Sequence, residues 1–226
     1  MSLKITYLGH SGFIFDDGSH PCVVDPFLSG NSLAKHKPAD VKCTHIALTH
    51  GHYDHVGDTI EIAKANQATC IAVFEITGLL NDKGIAEDKV EPGNPGGKIH
   101  TPFGWVAFTP ALHSSSYEGQ YMGQPCGLVI NIGGATIYHA GDTALFSDMK
   151  LIAEIYKPDI ACLPIGDRFT MDAKQASMAA EWIKPKFAIP IHYKTFPIIA
   201  QSAEGFAPRG VEVKELSPGE EWSYTK

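Results

Sequence analysis

Three histidines and one aspartate fall within the six residues from His50 to His55, in the stretch Thr49-His50-Gly51-His52-Tyr53-Asp54-His55. Just upstream, Ile46-Ala47-Leu48 is a short apolar run of buried-strand type, and just downstream Asp58 to Lys64 has helical character. Gly51 and Gly57 bracket the turn. A polar cluster fixed between a core strand and a helix needs a fold that opens a strand end to solvent. On an extended backbone His50 and His52 project to the same side and can converge on one cation at about 2.0–2.1 Å. Asp54 and His55 are adjacent, so the chain turns where they project, and they can serve a second ion beside the first.

The remaining sequence alternates strands and helices. Strand-like runs are Ile5–Leu8, Phe13–Phe15, Cys22–Asp25, Ile46–Thr49 and Cys70–Val73, with helical stretches at Asp58–Asn66 and Ile76–Asn81. The scheme recurs with strands at Gly127–Ile132, Thr136–His139, Ile160–Pro164 and Phe187–Ile191, a hairpin turn at Gly133-Gly134, and helices at Leu145–Tyr156, Ala173–Ile183 and Ile198–Phe206. The pattern predicts an α/β chain forming a single domain of two similar βα halves, about 1–115 and 116–226, packed sheet on sheet with helices outside. At 226 residues, 44% of them hydrophobic, the chain is long enough to bury such a core.

The sequence His50-x-His52-x-Asp54-His55 resembles the signature of the metallo-β-lactamase superfamily. Later blocks follow in that family's order: His113 in Ala111-Leu112-His113-Ser114-Ser115-Ser116, Asp142 in His139-Ala140-Gly141-Asp142-Thr143, and His192 after Phe187-Ala188-Ile189-Pro190-Ile191. The opening Tyr7-Leu8-Gly9-His10-Ser11-Gly12-Phe13, with Val24-Asp25-Pro26-Phe27 and Leu163-Pro164-Ile165-Gly166-Asp167, extends the likeness nearly end to end. These blocks resemble the small bacterial and archaeal metal-dependent hydrolases related to the ascorbate-6-phosphate lactonases.

The resemblance implies a four-layer αβ/βα sandwich, two mixed sheets face to face with helices outside and every ligand block at a strand end. It implies that His50, His52 and His113 bind one metal, that Asp54, His55 and His192 bind a second, and that Asp142 bridges them. The cofactors expected are two divalent ions, zinc before manganese, iron or nickel, since imidazole and carboxylate donors suit all four. Two such ions about 3.5–4 Å apart lower the pKa of a shared water from roughly 15.7 toward about 7. The resulting hydroxide, oriented by Asp54, would hydrolyse a small ester of phosphodiester or lactone type.

Other residues carry supporting expectations. Asp25, at a strand end before Pro26, is placed to accept the spare N–H of a metal-bound imidazole. His10 could face substrate or protonate a leaving group, with a hydrogen-bonded structural histidine as the alternative, and His139 is expected to support the metal site from within its strand. Ser114 and Ser115 could bind a substrate oxygen, Asp167 and Arg168 could line the pocket, with Arg168 suited to a carboxylate or phosphate, and Tyr193 and Lys194 could touch substrate. Two apparent motifs fail. Gly93-Asn94-Pro95-Gly96-Gly97-Lys98 lacks the serine or threonine of a phosphate-binding loop and reads as a turn. Gly9-His10-Ser11-Gly12 lacks the spacing of a nucleophile elbow.

Composition narrows the remaining classes. The net charge of -7 is spread without long runs of either sign, which argues against a nucleic-acid partner and so against a nuclease. A small, anionic substrate drawn to the metals is expected instead. The five cysteines include no C-x-x-C pair, and the N-terminus shows neither an export signal nor a membrane anchor, so a cytoplasmic protein with reduced thiols is expected. Any homo-oligomeric contact would lie on the globular domain. Oxygen chemistry is the alternative on the same fold: di-iron members carry glutamate where His52 stands, whereas mononuclear iron persulfide dioxygenases share the histidine pattern.

Overall fold

A computed structural model describes residues 2–226. The first part of the chain runs β1 (Ser2–Gly9), β2 (Gly12–Asp16), β3 (Cys22–Val24), β4 (His45–Ala47), α1 (Tyr53–Val56), α2 (Thr59–Asn66), β5 (Thr69–Val73), α3 (Phe74–Asp82) and β6 (Val90–Gly93). It continues through β7 (Lys98–Thr101), β8 (Gly104–Pro110), β9 (Ser116–Tyr117), β10 (Gln120–Tyr121), β11 (Cys126–Ile132) and β12 (Ala135–His139). The last elements are α4 (Met149–Tyr156), β13 (Ile160–Pro164), α5 (Ala173–Ile183), β14 (Phe187–Ile191), β15 (Glu212–Val213) and β16 (Glu221–Thr225).

Two seven-stranded sheets form, in the orders β16-β1-β2-β3-β4-β5-β6 and β15-β14-β13-β12-β11-β8-β7, and β9 and β10 make a separate hairpin. Each sheet is mixed. Strands β3 to β6 are parallel and the other pairs of the first sheet antiparallel; β12 to β15 are parallel and the other pairs of the second antiparallel. The expected α/β sandwich is therefore present, and its two sheets share one scheme.

Alternating side chains explain the layering. In the second sheet Ile137, Ile160, Cys162 and Ile189 enter the core between the sheets, packed with Leu3, Ile5, Phe13 and Phe15 of the first. Their neighbours Tyr138, Ala161, Leu163 and Ala188 face outward onto Met149 and Ile152 of α4 and Ala176, Ala179 and Ile183 of α5. Both faces of the central strands are thus buried, which is why they read as continuous apolar runs.

Three sequence expectations change and one is met. The sheets divide at residues 94–97, between β6 and β7, not near residue 115, and β16 returns to the first sheet beside β1. The turn expected within Gly93–Lys98 occupies 94–97. The helix expected from Leu145 begins only at Met149. Ile198–Phe206 is not helical, because its polar groups bond elsewhere: the Ala200 N–H reaches Gly166 O at 3.0 Å, and the Gln201 amide takes the carbonyls of Phe196 and Ile199.

Candidate metal centre

Every ligand-type block follows a strand end: His50–His55 after β4, running from a loop into α1, and His113 after β8, Asp142 after β12 and His192 after β14 on loops. A rigid sheet edge thereby fixes polar side chains on otherwise irregular backbone. Local backbone is forced where the loops meet. Gly141 has φ +61°, and a Cβ there would lie 2.9 Å from the Thr49 Cβ and 2.9 Å from the Cys126 carbonyl, so only glycine lets the Asp142 loop approach. His10, Asp25 and His192 also hold positive φ, at 57°, 43° and 58°. Such conformations persist only when surroundings over-determine them; here the His192 N–H donates to His10 O at 2.8 Å and the Phe27 N–H to Asp25 O at 2.9 Å.

Three overlapping groups of donors form. His50, His52 and His113 bring one nitrogen each within 4.8 Å of one another; two nitrogens of His50 and His55 meet a carboxylate oxygen of Asp142 within the same distance; and Asp54, His55 and His192 converge likewise with His10. Asp142 lies among them. Its Oδ2 is 2.9 Å from His192 Nε2, 3.5 Å from His113 Nε2 and 4.0 Å from His50 Nε2, and its Oδ1 is 3.4 Å from His55 Nε2.

The hydrogen bonds behind these atoms set the tautomers. A carboxylate only accepts, so His55 Nδ1, 2.7 Å from Asp25 Oδ2, carries the proton and leaves Nε2 facing Asp142. Asp25 also accepts from the Thr49 hydroxyl at 2.6 Å and the Thr49 N–H at 3.0 Å. With its proton spent on Asp25, Thr49 Oγ1 accepts from His50 Nδ1 at 3.0 Å, which bares His50 Nε2. That nitrogen faces His52 Nδ1 at 3.0 Å, while His52 Nε2 is 3.3 Å from the Ser114 hydroxyl. Two imidazole nitrogens so close, one of them bare, can turn to a shared cation. His55 Nε2 and Asp142 Oδ1 are moreover buried without any hydrogen-bond partner, as groups waiting for an ion would be. The donor set fits divalent metal.

Charge is balanced without solvent. Burial disfavours ionised Asp142, but the charges of His192 and His55 outweigh it and hold the carboxyl well below its usual range. Burial likewise opposes protonated His55, yet Asp142 and Asp25 on either side raise it well above an ordinary imidazole. Burial lowers His50, with His55 adding to the effect. For Asp54, burial is overcome by the hydrogen bond from His10 and the charge of His55, and the carboxyl stays ionised.

A cavity of about 530 Å³ opens over this cluster. It is lined by His52, Asp54, His113, Asp142 and His192 at its floor, by Ser114, and by Tyr53, Phe169, Phe196, Pro197 and Ile198 at its walls. Among the described residues no lysine or arginine lines it.

The expected supporting residues divide. Asp25 does hold a histidine, as expected, and Ser114 reaches the cavity. His139, fully buried, contacts Ser11 O through Nε2 at 2.8 Å and accepts the Gly141 N–H at 3.2 Å, which braces the Asp142 loop. His10 is a correction: it is 1% exposed and does not line the cavity. Its Nε2 donates to Asp54 Oδ2 at 3.1 Å and its Nδ1 meets Thr195 Oγ1 at 2.9 Å, so it holds a carboxylate in place of facing a leaving group.

Ser115 is another correction, since its buried hydroxyl accepts the Gly51 N–H at 3.0 Å and donates to Met122 O at 3.2 Å. Asp167 and Arg168 do not reach the cavity: the Asp167 backbone closes a turn with Met171, and the Arg168 guanidinium sits 5.8 Å from the Phe169 ring centroid. Tyr193 and Lys194 point to the opposite side, where both meet Glu215, at 3.0 and 3.1 Å. Thr49, Thr195 and the apolar walls went unnoticed in the sequence. For Thr49 the signal was there, a hydroxyl immediately before the first histidine of the cluster.

Known proteins share this design. The family model described as a beta-lactamase superfamily domain matches residues 4–192. A UPF0173 metal-dependent hydrolase of Bacillus licheniformis is 48% identical, the match covering 96% of this chain and 98% of the relative. Another, from Carboxydothermus hydrogenoformans, is 45% identical over 96% and 98%. The solved structure of Igni18, a metallo hydrolase of the archaeon Ignicoccus hospitalis, superposes with a TM-score of 0.90 at 34% identity and covers 100% of both chains. A family model over most of the chain, relatives that match nearly end to end and a shared fold leave one assignment: the chain belongs to the metallo-β-lactamase superfamily, among its UPF0173 metal-dependent hydrolases.

Proposed function

We propose that this hydrolase cleaves a small ester with two divalent ions, one held by His50, His52 and His113, the other by Asp54, His55 and His192, with Asp142 reaching both. The observation that carries the reading is the Asp142 carboxylate, 3% exposed and within 4.0 Å of nitrogens from both histidine groups. When bound, a pair of divalent ions supplies hydroxide at neutral pH and polarises the oxygen under attack. Zinc is the ion favoured by nitrogen-rich donors, with manganese, iron and nickel as the alternatives.

The chain's own residues do the positioning. Asp25 fixes His55 directly and His50 through Thr49, so one buried carboxylate aligns a ligand of each ion. His10, itself held at Nδ1 by Thr195, steadies Asp54 from behind. Ser114 stands at the floor of the cavity with a hydroxyl for a substrate oxygen. Five buried, unpaired cysteines are in keeping with a reducing, cytoplasmic setting. Among the described residues no helix is long and apolar enough to cross a membrane.

Elemental analysis of purified protein, paired with ester hydrolysis before and after chelation, tests the reading. About two zinc or manganese ions per chain with chelator-sensitive turnover is the expected result. A single iron, oxygen consumption and no hydrolysis would replace it with dioxygenase chemistry.

A further inference from the structure

The walls of the cavity are made of side chains that water does not welcome. Tyr53, Phe169 and Ile198 are 61%, 52% and 50% exposed, and all three stand at this one mouth. They come from three separate segments, Tyr53 from the start of α1 and the other two from the loops after β13 and β14. Phe196 joins them and is held in place: its ring centroid is 5.5 Å from His10, 6.1 Å from Phe27 and 6.4 Å from Tyr53, and Phe27 meets Tyr53 edge-on at 5.8 Å. The aromatic wall is therefore built before any ligand arrives. A cluster of exposed apolar groups around a concave polar floor is the usual form of a small-molecule site.

The anionic substrate expected from the metals alone is narrowed by what lines the mouth beyond them. Binding sites for phosphate or carboxylate supply arginine or lysine forks, and none lines this cavity among the described residues. Arg168 has its guanidinium on the Phe169 ring and Lys194 is paired with Glu215 at 3.1 Å on the far side. Asp54 and Asp142 at the floor belong with the ions, which would meet the scissile group, so the tail of the substrate meets the apolar walls.

We propose that the substrate is a neutral carboxylic ester or lactone whose apolar acyl chain lies against Tyr53, Phe169, Phe196 and Ile198, and that substrates with an anionic tail are rejected. The inference rests on the ester-hydrolase reading and refines it by naming the substrate class.

The test uses metal-loaded protein with p-nitrophenyl acetate, butyrate, hexanoate and octanoate, beside the hemisuccinate, in which a carboxylate replaces the butyrate methyl. Each buried methylene gives about fourfold in binding. The expected result is a kcat/KM that climbs by up to about fourfold per methylene until the mouth is filled, with hemisuccinate far below butyrate. Phe169→Ala and Ile198→Ser should each cut the hexanoate-to-acetate ratio several-fold. A readout apart from turnover is the fluorescence of N-phenyl-1-naphthylamine, a neutral apolar probe, which should bind wild-type protein saturably and Phe169→Ala more weakly.

A flat or falling chain-length profile with hemisuccinate preferred overturns the apolar-chain inference and leaves the hydrolase standing; loss of that preference in Arg168→Ala would then identify an anion-reading arginine. If protein carrying its full metal content turns over no ester of any length, the ester-hydrolase reading fails instead. Absence of saturable naphthylamine binding, or binding indifferent to Phe169→Ala, overturns the apolar wall whichever way turnover falls.

Discussion

The two sides of the metal site should be separable by two substitutions behind it. Asp25 is fully buried and accepts three hydrogen bonds, from the Thr49 N–H, the Thr49 hydroxyl and His55 Nδ1. Asp25→Asn keeps the shape but leaves one oxygen and adds an N–H₂ that must face at least one donor. In one orientation it confronts the Thr49 N–H; in the other it confronts His55, which then satisfies it only by moving its proton to Nε2 and giving up that nitrogen as a ligand. An unmet buried donor costs about 1–3 kcal/mol, and loss of a partner that orients a ligand typically weakens metal affinity about 10- to 100-fold.

Because Asp25 reaches His55 directly and His50 through the Thr49 hydroxyl, Asp25→Asn should weaken both ions. Thr49→Val removes only the relay to His50 and keeps the 2.7 Å contact between Asp25 and His55. It should therefore weaken the ion of His50, His52 and His113 by about tenfold and spare the other. Competition against a chelator of known affinity, resolved into two binding steps, measures both. Wild-type affinity for both ions in Asp25→Asn, or equal weakening of both in Thr49→Val, would refute the relay.

Three further outcomes follow from the same geometry. In chelated protein His55 is held protonated between Asp142 and Asp25, so metal uptake at pH 7 must expel that proton; calorimetry in buffers of different ionisation enthalpy should count about one released proton or more, and a count of zero would contradict the charge balance described. Burial and His192 lower His10 to about 4, so between pH 6.5 and 4 the unfolded chain takes up a proton that the folded chelated protein refuses. Stability should fall with acid across that window by about 1.4 kcal/mol per pH unit, about 3 kcal/mol in all from this group, and thermal melts of His10→Gln should show a shallower slope. At Gly166 a Cβ would lie 2.4 Å from the His192 carbonyl and 2.9 Å from its Nδ1, so Gly166→Ala should displace His192 and weaken the Asp54–His55–His192 ion selectively, seen as a loss of one equivalent of metal on dialysis.

How much of this could be read from the chain alone depended on what kind of interaction fixed each part. Central strands such as Ile160–Pro164 and Phe187–Ile191 are legible because burial on both faces demands an unbroken apolar run, and the structure gives those same bounds. Strand β16 was invisible: only Tyr224 of its five residues is buried, and its place beside β1 is set by pairing with residues more than two hundred positions away. The histidines and aspartates were legible because few other contexts require them so close together. His10 shows where that logic stops. Its residue type announced chemistry, but its role is decided by Thr195, 185 positions along the chain, and by Asp54, which together pull the ring behind the site. The walls were hidden for the opposite reason. Phenylalanine and isoleucine are what any core contains, and only the loop geometry after β13 and β14 leaves Phe169 and Ile198 facing water above the ligands. Reaction class is thus written in rare residues at fixed spacing, while specificity is written in common residues at uncommon exposure, and the second kind of information exists only once the chain has folded.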